Sequence, residues 1–289
     1  MKPQACQFIG CDKSYREADT VLFGAPYDST TSFRPGTRFG PSAMRMESFG
    51  IETYSPMQDK DLVDDTKVFD SGDLELPFGA PEPALKMIEK RSAQILEDGK
   101  RPFLLGGEHL VTLGAFRAVQ KKYPDVVIIH FDAHADLRED YLGNPLSHAC
   151  VLRRIHDLVG DGRIFQFGIR SGTREEFAFM KSGHVKTEPF TSATLAKVVK
   201  SIPKKTPLYL TIDMDVLDPS EFPGTGTQEA GGFRYPQLVE DVRLICSRLN
   251  VVALDNVELN PGLDSTGRST ALACKFLREC LLSLTNKGE

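Results

Sequence analysis

The chain has 289 residues, 40% of them hydrophobic and 26% charged, with a formal net charge of −5. Such a chain can bury a large core, as one sizeable α/β domain or two small ones. It carries no basic cluster, which argues against nucleic-acid binding, and no apolar run approaches the ~18 residues of a membrane span.

Six cysteines occur, Cys6, Cys11, Cys150, Cys246, Cys274 and Cys280, with no CxxC pair and no zinc-type spacing. Most stand among apolar residues, where Cys is a small core side chain, so the expected setting is reducing and cytoplasmic. Residues 1–6 contain no apolar stretch of the secretory kind.

In chain order, the first strand is expected at 20–24. A long loop follows over 29–41, too long for a simple connector, and then a short helix at 42–48 behind Pro41. A strand and its exit loop over 68–73 precede a helix over 83–97 that ends at Gly99. The third strand covers 102–105 and a helix covers 110–122. The fourth, Val126-Val127-Ile128-Ile129-His130-Phe131, is apolar without alternation, the pattern of a strand buried on both faces. Helices at 148–158 and 174–180 bracket a strand at 164–169. A short strand at 184–186 precedes a helix capped by Thr191 or Ser192 and running to 201. A strand at 207–212 leads into a second long loop, a helix over 235–249, a strand at 251–254 and a last helix over 269–284. Strands and helices alternate without a linker or a repeat. The expected fold is a single α/β domain, residues 1–289, a three-layer α/β/α sandwich with a mostly parallel sheet of about eight strands.

Four of these strands deliver acids or histidines at their C-terminal ends. They are Glu108 and His109, then Asp132, His134 and Asp136, then Asp213 and Asp215, and finally Asp255 and Glu258. In open parallel sheets, sites form beyond those ends. Asp132, His134 and Asp136 are spaced by two, and in an extended chain all three would point to one side. Two carboxylates and an imidazole held together oppose one another unless a cation compensates. His109, Asp132, His134, Asp136, Asp213 and Asp215 exceed what one ion needs. Oxygen with some nitrogen suits manganese, or iron, cobalt or nickel, and two ions sharing carboxylates would acidify water toward ~7.

GGEH at 106–109, DAHAD at 132–136, SHA at 147–149, DMDVLDP at 213–219 and GTGT at 224–227, as an ordered set, resemble the ureohydrolase family that includes arginases and agmatinases. The stretches 31–41 and 136–143 look most like those of bacterial agmatinases. The resemblance implies two Mn²⁺ per chain. His109, Asp132, Asp136 and Asp213 would bind one, and Asp132, His134, Asp213 and Asp215 the other. It implies a metal-bridging hydroxide attacking a guanidinium carbon, His148 as proton shuttle, Asp136 passing a proton to the leaving amine, and Glu258 pairing with the guanidinium. The implied substrate is a small cationic guanidino compound. Agmatine would give putrescine and urea. Guanidinobutyrate, guanidine, arginine and formimidoylglutamate are the alternatives, as is a non-catalytic relative. A trimer or hexamer is implied as well. Residues 141–147 are poor in donors for an α-carboxylate, which argues against arginine. Gln228 and Ala230 stand where relatives often have Pro, so the loop after Thr227 is expected to be less rigid.

Overall fold

The computed structural model describes residues 7–285; Met1–Cys6, including Cys6, lies outside the described residues. Eight strands form one sheet: β1 (Thr20–Ala25), β4 (Val68–Asp73), β5 (Arg101–Gly106), β6 (Val127–Phe131), β7 (Ile164–Ile169), β8 (Lys186–Pro189), β9 (Pro207–Asp213) and β10 (Asn250–Val257). Their order is β4-β1-β5-β10-β9-β6-β7-β8, and every pairing is parallel. The missing numbers, β2 (Tyr54–Ser55) and β3 (Lys60–Asp61), make a small antiparallel hairpin. Nothing in the residue pattern announced that hairpin.

Alternation along each strand divides the core in two. On one face Leu22, Phe103, Leu105, Ile129, Phe131, Leu210 and Ile212 pack under α1 (Gly40–Glu47), α7 (Leu195–Ser201), α8 (Tyr235–Arg248) and α9 (Arg268–Ser283). On the other, Val21, Phe23, Leu104, Ile128 and Tyr209 pack under α3 (Pro81–Glu97), α4 (Val111–Lys122), α5 (Val151–Val159) and α6 (Arg174–Lys181). The short α2 (Leu62–Asp65) follows the hairpin. Full burial of each Leu, Ile or Phe contributes roughly 1.5–3 kcal/mol. With apolar side chains on both sides, the strands read as continuous hydrophobic runs. The expected three-layer sandwich with an eight-stranded parallel sheet is therefore observed.

Local boundaries differ where local cues misled. The strand expected at 184–186 lies at Lys186–Pro189. The helix expected behind Thr191 or Ser192 starts at Leu195, because the Thr191 hydroxyl accepts from Ala193 N and closes a turn instead. The expected helix at 148–158 opens as a 3-10 turn, His148–Cys150, before α5. The described cysteines, Cys11, Cys150, Cys246, Cys274 and Cys280, are all buried and unpaired.

Register places the site. Asp213 pairs with Val257 across β9 and β10, and Ile212 pairs with Phe131 across β9 and β6. Asp213 and Asp132 therefore leave the sheet on adjacent strands at the same level, with Glu258 one step beyond Val257.

Candidate metal centre and active site

The six candidate ligands converge. His109 Nδ1 lies 3.0 Å from Asp132 Oδ2, 3.1 Å from Asp136 Oδ2 and 3.3 Å from Asp213 Oδ2. His134 Nδ1 lies 2.9 Å from Asp215 Oδ2 and 3.4 Å from Asp132 Oδ1. Asp132 thus presents one oxygen to each histidine. All six residues are buried except His134, which is partly exposed.

The expected route to this convergence was an extended chain from 132 to 136, and the chain does not take it. β6 stops at Phe131. Asp132 Oδ1 accepts from His134 N at 2.5 Å, turning the chain back on itself. Ala133 O accepts from the backbone of Arg170 and Ser171, and Ser171 O accepts from Ala135 N, so the loop is laced to the end of β7. Asp136 then adopts φ 54, a left-handed conformation that a non-glycine residue holds only when its surroundings impose it. Its carbonyl accepts from Leu152 N and Arg153 N, binding this ligand to the start of α5.

Hydrogen inventory decides what His109 can do. Thr211 Oγ1 donates to Asp255 Oδ1 at 2.7 Å, and Tyr209 OH donates to Asp255 Oδ2 at 2.7 Å. The Thr211 oxygen can then only accept from His109 Nε2, 3.0 Å away. In the neutral ring Nδ1 is then a lone pair facing three carboxylate oxygens; neither it nor Asp215 Oδ2 has a hydrogen-bond partner. Burial opposes a charge on His109, yet these carboxylates push its pKa well above the usual range. Burial and the charge of Asp215 push Asp213 up as well. Buried acids and lone pairs in this arrangement fit divalent cations, and the mostly oxygen donor set suits Mn²⁺-like ions.

His130 stands as close to Asp132 as the ligands do, with Nε2 2.8 Å from Oδ2. It plays a different part. Gln166 Nε2 donates to His130 Nδ1 at 3.1 Å while Gln166 Oε1 accepts from Thr187. His130 must therefore carry its proton on Nε2 and donate it to Asp132, orienting that carboxylate.

Glu258 has φ 67 and is also held by its surroundings. Its Oε1 accepts from His109 N at 2.8 Å, and its own N donates to Gly107 O. Gly107 has no room for a side chain, since a Cβ there would lie 1.9 Å from Tyr27 O. His148 Nδ1 lies 3.4 Å from the same Glu258 oxygen, while Ser32 N donates to His148 Nε2 at 3.1 Å. Burial opposes charging of His148, and Glu258, Asp136 and Glu108 push its pKa up to about 9. The Ser32 N–H facing Nε2 favours the neutral ring with its proton on Nδ1, and cations among the carboxylates would cancel much of the upward push.

Glu108 received no role from its motif. It anchors the long loop that reaches His148. Its carboxylate accepts from Thr30 N, the Thr30 hydroxyl and the Thr31 hydroxyl at 2.5–3.2 Å. Arg170 was likewise missed. It donates to the carbonyls of Asp215, Val216 and Glu229, while Asp218 Oδ2 accepts from Gly231 N and Gly232 N. These side chains hold the backbone of the loop after Thr227. Asp218 is held down at about 2, chiefly by Ser220 and then by the two glycine amides.

The cluster opens into a cavity of about 530 Å³ lined by Ser32, Tyr141, His148, Asp213, Glu229 and Glu258, among others. Glu229 Oε1 lies 3.9 Å from His134 Nε2 at its edge.

The family model described as Arginase family matches residues 18–283. An agmatinase of Bacillus subtilis is 47% identical over 278 residues, covering 95% of both chains. An agmatinase of Bacillus anthracis is 46% identical over 276 residues, again covering 95% of both. A crystal structure of a candidate agmatinase from Clostridium difficile superposes with a TM-score of 0.92 at 50% identity, covering 95% of this chain and 99% of its own.

Proposed function

This chain belongs to the arginase family, and from that premise we propose that it hydrolyses agmatine to putrescine and urea. In this reading His109, Asp132, Asp136 and Asp213 would hold one Mn²⁺, and Asp132, His134, Asp213 and Asp215 a second. Such an ion pair, when bound, acidifies water toward neutral pH and polarises the electrophile.

The chain's own groups divide the remaining work. Glu258 offers a planar carboxylate inside the cavity, the partner that a guanidinium takes through paired hydrogen bonds. Its anchoring by His109 N fixes the plane of that carboxylate. Asp136 would accept a proton from the attacking water and deliver it to the leaving amine. His148 stands between Glu258 and Ser32 in the cavity wall and would exchange protons with water there. The observation that carries the reading is the sharing of one cavity by Glu258, His148 and the acid cluster. Residues 141–147 carry few donors and include an exposed Leu142 next to the cavity-lining Tyr141, which suits an amine-tailed substrate better than an amino acid. A single functional domain over 1–289, a cytoplasmic setting and a trimeric or hexameric assembly belong to the same proposal and rest on the family resemblance.

The test is urea release by Mn²⁺-loaded protein across agmatine, arginine, guanidinobutyrate and guanidine. Preference for agmatine is expected. Activity on another compound alone would overturn the substrate while keeping the chemistry, and no urea from any of them would overturn the activity.

A further inference from the structure

A second group of ligand atoms lies away from the cavity. His156 Nε2 and His184 Nδ1 each stand 2.8 Å from the same oxygen, Asp161 Oδ1. The three ligand atoms lie within 4.8 Å of one another, and none of these residues lines the cavity above. The residues come from three places. His156 is in the last turn of α5, Asp161 in the turn between α5 and β7, and His184 in the turn between α6 and β8.

The backbone holds these places together. Gly160 N donates to His156 O at 2.8 Å, and Gly162 N donates to His184 O at 3.3 Å. Gly160 and Gly162 have φ 74 and 77, so Asp161 sits between two left-handed glycines that turn its carboxylate toward both rings. Phe179 stacks on His184 at 4.4 Å and meets His156 edge-on at 5.0 Å, fixing both ring planes. The nearby cations have acidic partners of their own, since Arg153 and Arg154 pair with Glu139 and Asp157; Arg153 also lies over the Phe179 ring at 4.4 Å. The C-terminal end of α5 adds a partial negative charge.

We propose that His156, Asp161 and His184 form a second metal site, taking one Zn²⁺-class ion per chain with water completing its coordination. Two imidazoles and one carboxylate favour zinc, nickel or copper over manganese, the reverse of the oxygen-rich cluster in the cavity. A bound ion takes the place of the two N–H hydrogens that face Asp161: each neutral ring then carries its proton on its other nitrogen, and any further proton is released to solvent. The ligand atoms must then part from 2.8 Å to roughly 3.4 Å, as tetrahedral bonds of about 2.0–2.1 Å require. The exposed Asp161 side chain gives that freedom. The ion would clamp the turn after α5 to the turn after α6.

The experiment dialyses Mn²⁺-loaded protein against graded Zn²⁺ and counts both metals per chain. The expected result is one zinc gained with manganese retained, and at least a tenfold weaker uptake in His184→Ala and in His156→Gln. Zinc should also raise the melting temperature of the parent protein and not that of either variant. Equal zinc uptake in all three proteins would overturn the site. So would zinc gained only against an equal loss of manganese, which would place it in the cavity. Each variant is melted without zinc as well, and a weaker uptake that appears only in a variant with a lowered metal-free melt would count as unfolding and against the site.

Discussion

Thr211 sets the face that His109 turns to the acid cluster. Its hydroxyl donates to Asp255 and its oxygen lies 3.0 Å from His109 Nε2, so the proton of the ring is held on the far side from the carboxylates. Outer partners of this kind tune metal affinity by roughly 10- to 100-fold. Thr211→Val keeps the shape and removes the acceptor. It should weaken Mn²⁺ binding by about that factor, measured by calorimetric titration of metal-free protein, with Thr211→Ser close to the parent. Unchanged affinity in Thr211→Val would mean that the tautomer is set elsewhere.

His148 is hydrogen-bonded to Thr30, Ser32 and Glu258 and to none of the six candidate ligands. A proton-transfer group of this type contributes roughly 10²–10⁴-fold to rate. His148→Asn should therefore lower turnover by about 10²-fold or more while the metal content stays near that of the parent. Metal counting beside steady-state kinetics checks this. A matched fall in both would remove the shuttle role and make His148 a structural support.

Glu108 gathers three donors from Thr30 and Thr31 and so fixes the loop that bears Ser32. Burial pushes its pKa up to about 7, against His148 and the Thr30 hydroxyl. Hydrogen bonds to a charged acceptor are worth about 1.5–3 kcal/mol each. Glu108→Gln replaces one acceptor by an NH₂ that faces other donors. KM is expected to rise roughly tenfold with metal content intact. A change confined to kcat would show that Glu108 acts on the chemistry and not on the loop.

Asp241 offers a test of stability against pH that lies away from the site. Burial pushes its carboxyl up to about 6, although the Ser192 hydroxyl donates to it at 2.6 Å. In the unfolded chain the group loses its proton near 3.8. Between those two values the folded state keeps a proton that the unfolded state has released, so stability falls as pH rises through the window. With a discount for partial exposure, the cost at neutral pH is about 1 kcal/mol. Asp241→Asn should melt higher than the parent at pH 7, and the gap should close below about pH 4. A gap that does not vary with pH would assign the effect to packing.

Much of the fold was legible because its cues are local. The apolar runs ending in Glu108-His109, Asp132, Asp213 and Glu258 mark strands by composition and place their polar ends by simple adjacency. Parallel topology then brings those ends to one edge whatever the loops do. The hairpin Tyr54–Ser55 with Lys60–Asp61 was missed because its strands are two residues long and carry no period to detect. The Thr191 hydroxyl suits a helix cap and a closed turn alike, and only the following backbone distinguishes them.

Residue identity and order alone marked the layered α/β architecture, the six candidate ligands and the strand-end acid Glu258, while His148 entered only through the motif resemblance. The architecture, the ligands and Glu258 each depend on a side chain's chemistry and on its distance from a strand end, and both can be read along the chain. Tertiary structure decided how the ligands meet and which atoms they offer. Asp136 reaches the cluster through a left-handed turn laced to Ser171, not through an extended strand. His109 and His130 differ in role because Thr211 accepts and Gln166 donates, at positions 102 and 36 residues away. The direction of a hydrogen bond depends on what its partner is already bonded to, and that chain of commitments exists only once the strands lie side by side.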